Sequence, residues 1–262
     1  MQNKVVWITG ASSGMGEELV YQYIKLGAKV VMSSENEAEL IRVKNNCGEN
    51  SSNCIVEPIN LIDTTGISDV VKKIIGLSGK IDILINNAGI SQRALVKESS
   101  IEIDRKIMEI NFFGAIALTK AVLPFMLEKK TGNIAVTTSI AGKFGFPLRS
   151  AYCASKHALQ GFFEALRAEC HHDNIKITIL IPGRVQTNIS MHAIDKDGKP
   201  HGKMDQGQAQ GITAKKAAAQ IIHAIRKNRK EVLIGGKELI MVYIRRFLPR
   251  LFFYLAPRIK ST

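Results

Sequence analysis

The chain has 262 residues, with 45% hydrophobic content, 6% aromatic content and a formal net charge of +13. That much apolar material supports one sizeable core, and α/β sheets of this length are routinely a single domain. No linker, internal repeat or low-complexity tract divides the chain, and its Lys and Arg are scattered among few aromatics, which argues for a solvated basic surface and against a nucleic-acid partner.

In chain order, Val5 to Ile8 read as a short buried strand, and Thr9-Gly10 open a turn. Gly10, Gly14 and Gly16 follow in the spacing G-x-x-x-G-x-G, then a helical stretch from Glu17 to Leu26 and a second apolar strand from Ala28 to Met32. Strand, glycine turn, helix and parallel strand form the first unit of a dinucleotide fold. Glycines let backbone approach a pyrophosphate, and free N–H groups at the helix start favour its charge. Further apolar runs near 54–59, 81–85, 133–138, 175–181 and 231–234 alternate with helical stretches. The pattern predicts an α/β fold: a doubly wound, mostly parallel sheet with helices on both faces, in one domain.

Asn86-Asn87-Ala88-Gly89 closes the fourth of these strands, where side-chain amides can brace the sheet. Further on, Ser139 precedes Tyr152 by thirteen residues, and Lys156 follows Tyr152 by four. Residues four apart share one helix face, so the ammonium can stand beside the phenol. A free tyrosine titrates near about 10, and a neighbouring cation favours its phenolate. A hydroxyl from Ser139 could bond the same substrate oxygen.

T-G-x-x-x-G-x-G at Thr9–Gly16, N-N-A-G at Asn86–Gly89, Asn111 on a long helix, Ser139, Y-x-x-x-K at Tyr152–Lys156, and Pro182-Gly183 followed by Thr187 together resemble the short-chain dehydrogenase/reductase family of compact type. The match runs over roughly residues 3–235, in the family's order. The resemblance implies an NAD(P)-dependent oxidoreductase that interconverts an alcohol and a ketone or aldehyde. It makes Tyr152 the general acid/base, Lys156 the residue that lowers the tyrosine pKa and holds the nicotinamide ribose, and Ser139 the group that fixes the substrate oxygen. Asn111 would bind a water linking Lys156 to solvent. The cofactor would meet Gly10, Ser12, Ser13, Gly14, Met15 and Gly16 at the turn, Asn87, Ala88 and Gly89 on the ribose side, and Pro182, Gly183, Val185 and Thr187 at the nicotinamide end. Asn60-Leu61 stand where the family usually has an Asp contacting the adenine; an Asn there can still donate and accept. The resemblance also implies a homodimer or homotetramer, built on helices around Ile103–Leu127 and Ala151–Cys170.

Cofactor choice turns on Ser33-Ser34-Glu35-Asn36. Neither the family's NADP-type Arg at 35 nor its NAD-type Asp at 34 is present. Glu35 can accept ribose hydroxyls and repel a 2′-phosphate; equally, Ser34 and Glu37 form an S-x-x-E capping box with Glu35 as a first-turn acid. The absence of Arg or Lys in that turn favours NAD(H), with NADP(H) as the alternative.

Residues at the carboxyl ends of the catalytic strands form the candidate substrate wall: Ile90, Arg93, Ile140, Phe144, Phe146, Leu148, Met191 and Ile194, which suggest an apolar alcohol or carbonyl substrate. A polar segment within residues 184–211 reads as a mobile lid. Residues 1–238 then form the catalytic domain and 239–262 an apolar, arginine-interrupted tail. The tail packs against the body or a sister subunit, contacts a membrane peripherally, or covers a lipophilic pocket. No signal-like run or uninterrupted apolar span of about 18 residues is evident, and four cysteines without C-x-x-C spacing fit a reduced, cytoplasmic setting. No metal cluster is indicated. Two other readings compete. An epimerase or dehydratase of the extended branch has a different glycine spacing and a larger C-terminal domain. An idle cofactor-binding regulator would have lost part of the Ser-Tyr-Lys set.

Overall fold

The computed structural model describes residues 1–259. Seven strands form one parallel sheet: β1 (Val5–Thr9), β2 (Lys29–Ser33), β3 (Cys54–Val56), β4 (Ile83–Asn86), β5 (Gly132–Thr137), β6 (Ile175–Pro182) and β7 (Glu231–Ile234). Their order is β7-β6-β5-β4-β1-β2-β3. The direction of winding reverses between β1 and β4, which opens a crevice at the carboxyl ends of those strands, where such sheets bind ligands. All seven expected strands are present, within a few residues of their sequence bounds.

Strands covered on both faces read as continuous apolar runs. All five residues of β1 are buried. Because side chains alternate across a strand, Val6 and Ile8 enter one core layer and Val5 and Trp7 the other. The first layer packs under α1 (Gly14–Lys25), α2 (Glu37–Asn45) and a helix at Ala214–Arg226. The second lies under α3 (Ile67–Ser78) and the long helical run formed by α4 (Ile101–Met108) and α5 (Gly114–Glu128), together with α6 (Ser150–Glu169). A single π turn, Glu109–Phe113, joins α4 to α5. The run Ile101–Glu128 is long and apolar enough to cross a membrane by length and composition alone, against the sequence expectation of no such span. Its Leu118, Val122 and Met126 are buried in the second layer, as in a core helix.

After β6 the chain forms short bridging strands and the four-residue α7 (Gln206–Ala209) before α8 (Ala214–Arg226) leads to β7. The tail then forms α9 (Ile240–Phe247) and α10 (Pro249–Leu255), with Pro249 in the first turn where its missing N–H has no helical partner to lose. Phe252 is buried against Phe144, with ring centroids 5.2 Å apart. Residues 260–262 of the tail lie outside the described residues.

Candidate active site

Two clefts adjoin at the carboxyl ends of the strands, sharing Met15, Asn87, Gly89, Thr187 and Ile189. The larger, about 780 Å³, runs along the glycine turn past Gly10, Ser12, Ser13 and Gly14. Gly10 has a φ of +64°, and a Cβ there would sit 2.9 Å from the Cα of Ala88. Gly16 does not line the cleft; a Cβ on it would lie 1.9 Å from the Gly10 carbonyl oxygen, so it serves the closure of the turn. Thr9 Oγ1 accepts the backbone N–H groups of Asn87 and Ala88, each at 3.0 Å, and Asn87 Nδ2 donates to the Thr9 carbonyl at 3.1 Å. Asn86 Nδ2 donates to Thr119 Oγ1 at 2.9 Å. The asparagines therefore do brace the tips of β1 and β4. The glycine cradle, the open cleft and the hydroxyl and amide groups along it fit a dinucleotide.

Farther out, Ser34, Glu35, Asn60 and Leu61 all border this cleft, as expected. The helix start there differs from expectation. Asn36, not Ser34, is the N-cap, accepting Glu39 N–H through Oδ1 at 3.1 Å, while Ser34 Oγ accepts Asn36 N–H at 3.1 Å in a turn before it. The cap is thus displaced two residues and is not a reciprocal box, since the Asn36 N–H goes to Ser34 Oγ and the Glu39 carboxylate to Arg42, and Glu35 is an exposed residue ahead of the helix. A cation also reaches the cleft, from a turn further along α2. Arg42 binds Glu17 through Nη1 at 2.9 Å, Glu39 through Nε at 2.7 Å, and the Ser12 carbonyl at 3.1 Å. Sequence spacing does not reveal it, because only the fold brings position 42 back onto Ser12.

The smaller cleft, about 180 Å³, holds Ser139, Tyr152 and Lys156 together. Ser139 follows β5 and caps a short turn, accepting Ala141 N–H at 3.1 Å. Tyr152 and Lys156 lie in the first two turns of α6, both buried, with the Lys156 Nζ 5.7 Å from the tyrosine ring centroid. That ammonium donates to the Thr137 carbonyl at 2.9 Å. Burial pulls Lys156 down to about 8. Burial also raises Tyr152 above its ordinary value, opposed by the Ser139 hydroxyl and the charge of Arg149. The lysine is therefore not the main influence on the tyrosine, contrary to the sequence expectation: desolvation dominates both groups. Asn111 sits in the π turn, fully buried. Its Oδ1 accepts Ile90 N–H at 2.8 Å, and its Nδ2 donates to the Ile90 carbonyl and Ser155 Oγ, each at 3.0 Å. Gly89 lies between Asn111 and Lys156, since a Cβ there would be 3.0 Å from the amide oxygen and 3.2 Å from the ammonium nitrogen.

Ile140, Phe144, Phe146 and Arg93 line this pocket, and Pro182, Gly183 and Val185 border it. Four expected wall residues do not. Ile90 faces the nucleotide cleft, while Leu148, Met191 and Ile194 line neither cleft. Leu148 is held at φ +67° with its carbonyl accepting Ala94 N–H, Met191 is exposed, and Ile194 pairs in a two-residue parallel bridge with Gln92. Spacing from the catalytic strands could not show which way these loop residues turn.

Arg93 is buried rather than a surface residue, and it belongs to a cluster invisible in the sequence. Asp205, from the segment read as a lid, binds Arg93 through both carboxylate oxygens and Arg149 Nη2 at 2.7 Å. Arg149 also lies over the Phe146 ring, 4.9 Å from its centroid. Burial and the Arg93 charge pull Arg149 down to about 10. From the tail, Met241 and Ile259 add apolar surface, and Glu238, just before it, accepts Arg184 N–H at 2.7 Å. These contributors come from positions 93, 149, 205 and 238–259, with no shared spacing to mark them.

The fold and its two clefts define a Rossmann-type protein with a cleft suited to a dinucleotide. The sequence model of the short chain dehydrogenase family matches residues 4–198. Dehydrogenase/reductase SDR family member 7B of Rattus norvegicus is 42% identical over 261 residues, covering 97% of this chain and 80% of that protein. Dehydrogenase/reductase SDR family member 7 of Homo sapiens is 38% identical over 255 residues, covering 95% and 75%. Among solved structures, a short-chain dehydrogenase from Streptomyces avermitilis superposes with a TM-score of 0.82 at 27% identity, covering 96% of this chain and 95% of that one. One from Burkholderia phymatum, in complex with NAD, reaches 0.85 at 23% identity, covering 95% of each. The chain belongs to the short-chain dehydrogenase/reductase family. It is an NAD(P)-dependent oxidoreductase.

Proposed function

We propose that the enzyme interconverts an apolar alcohol and its ketone or aldehyde, with Tyr152 as general acid/base. The observation that carries this is the burial of Ser139, Tyr152 and Lys156 in one pocket that opens directly onto the glycine-lined cleft. A nicotinamide cofactor held there supplies or accepts the hydride. In reduction, Ser139 Oγ donates a hydrogen bond to the substrate oxygen and Tyr152 delivers its proton to the same atom; oxidation runs the transfer backwards. Lys156 anchors the ribose. A water beside Gly89, between Asn111 and Lys156, completes the path by which Tyr152 regains a proton. Residues 1–238 serve as the catalytic domain and 239–262 as an appended tail. Screening NADH and NADPH oxidation across steroids, retinoids, aldehydes, sugars and 3-oxoacyl esters tests the reading; no turnover on any carbonyl, with cofactor bound, would sink it.

NAD(H) is the favoured cofactor. Glu35 borders the cleft, and Arg42, the one guanidinium of α2 there, already pairs with two carboxylates, Glu17 and Glu39. A 2′-phosphate would meet more negative than positive charge. NADP(H) remains the second reading because of Arg42, and a fold neighbour, serine dehydrogenase, is complexed with NADP+. Calorimetric titration should show tighter NADH than NADPH, and Glu35→Arg should move the ratio towards NADPH by about tenfold, since a guanidinium binds phosphate in bidentate fashion. A chain that prefers NADPH would reverse the assignment.

A homodimer or homotetramer through α4–α5 and α6 is supported by Phe113, 42% exposed, beside Phe112, which meets Phe162 of α6 edge to face at 6.1 Å. Cys47, Cys54, Cys153 and Cys170 are free thiols, in keeping with a reducing, cytoplasmic setting.

A further inference from the structure

The tail carries a concentrated apolar surface. Ile240, Tyr243, Phe247, Leu248, Leu251, Phe253 and Tyr254 are all exposed within fifteen positions. Isolated exposed hydrophobes need no explanation, but a contiguous set marks an interaction site. Between Leu239 and Ile259 there are four arginines and no carboxylate. Three of the arginines stand over exposed aromatic rings: Arg245 over Phe253 at 5.2 Å, Arg246 over Phe247 at 5.9 Å and Arg258 over Tyr254 at 4.0 Å. Guanidiniums interleaved with aromatics are what a lipid–water boundary accommodates, with rings at the acyl edge and cations among headgroups.

We propose that the outer face of the α9–α10 hairpin docks on an anionic lipid bilayer, and that the enzyme draws a membrane-dissolved alcohol or carbonyl compound from it. Two further observations favour this occupant. A twofold self-contact would bring the same patch against itself, crowding the arginines of two copies into one interface with no acid on that stretch to meet them. The inner side of the hairpin also adjoins the catalytic pocket: Met241 lines it, as does Ile259 just beyond the hairpin, and Phe252 packs on Phe144, another lining residue. The face proposed to meet the bilayer and a wall of the pocket thus belong to the same hairpin. The net charge of +13 attracts the same surface. The substrate class rests on the proposed oxidoreductase reading; docking itself does not, and it is tested without turnover.

The test is flotation of the full chain with phosphatidylcholine vesicles, with and without phosphatidylserine, at low and high NaCl. The expected result is flotation with phosphatidylserine vesicles that weakens as salt rises. Arg246→Gln with Arg250→Gln should weaken it by about tenfold or more, since each basic residue near such a surface contributes comparably. Arg246→Lys with Arg250→Lys should retain it. Phe247→Ser with Phe253→Ser should weaken it at all salt concentrations, with NADH affinity and melting temperature unchanged. If the full chain does not float, or the glutamine pair floats like the parent, the proposal is overturned. It is equally overturned if light scattering shows the serine pair breaking an oligomer while flotation persists, for the face would then be a subunit contact.

Discussion

The nucleotide half of the molecule, β1 to β4 with α1 to α3, and the half proposed to take the substrate, β5 to β7 with residues 184–211 and the tail, build their clefts by different means. The first uses backbone: a turn that tolerates no Cβ at Gly10 or Gly16, and N–H groups of Asn87 and Ala88 that donate to Thr9 Oγ1. The second uses side chains drawn from Arg93, Phe144, Arg149, Asp205 and Met241, far apart in the chain. A backbone device must keep its spacing, whereas a wall of side chains can be rebuilt residue by residue. The proposed cofactor cleft is thus tied to a fixed spacing, and the proposed substrate wall is not.

Substitutions can break that contrast in graded ways. The largest effect should come where the halves meet: Tyr152→Phe should lower turnover by about two to four orders of magnitude while NADH binding stays within a factor of about two, because only the positioned proton is lost. Steady-state kinetics with a fluorescence titration checks both, and near-parental turnover would remove Tyr152 from its role. Asp205→Ala comes next. It leaves Arg93 and Arg149 buried without their shared carboxylate, and breaking such a buried pair costs about 3–5 kcal/mol. Urea unfolding should show the loss, and proteolysis should find the 184–211 segment newly cut, with the nucleotide half still protected.

Lys156 gives a sharper reading through pH. Burial holds it at about 8 in the folded chain, below its ordinary 10.5, so the unfolded chain binds that proton more strongly. Stability from this group therefore rises with pH between about 8 and 10.5, by at most about 1.4 kcal/mol per unit. Lys156→Met should flatten that slope in urea melts at several pH values; an unchanged slope would mean the ammonium is better solvated than its burial indicates. The smallest effect tests the backbone side. Gly16→Ala must displace the Gly10 carbonyl and should cost about 1–3 kcal/mol, an overpacking penalty, with a disproportionate loss of cofactor affinity. A loss of stability alone would leave the turn without its cofactor role.

The same contrast explains what could be read from the sequence. All seven strands were legible because strands buried on both faces, such as Val5–Thr9, are unbroken apolar runs. The glycine turn and the Ser139, Tyr152 and Lys156 set were legible because each depends on short-range spacing. Arg42, Arg149 and Asp205 were not, since nothing within their own segments distinguishes them from surface charges. The N-cap at Asn36 was misplaced to Ser34 because Ser-x-x-Glu and Asn-x-x-Glu overlap there, and only the backbone φ/ψ decides which residue starts the helix. The tyrosine's environment was misjudged for a related reason: spacing places Lys156 near it but says nothing of how deeply both are sunk.

The π turn at Glu109–Phe113 carries a consequence for the length of its helix. One surplus residue in an otherwise α-helical run turns everything beyond it by about 100°. Deleting a residue within 109–113 would yield a straighter helix of better regularity, yet it would rotate Leu118, Val122 and Met126 away from the sheet or else swing Asn111 out of reach of Ile90 and Ser155. The irregularity works as a phase shifter. It lets one continuous rod obey two incompatible angular demands, one set by the sheet it covers and one by the pocket it serves.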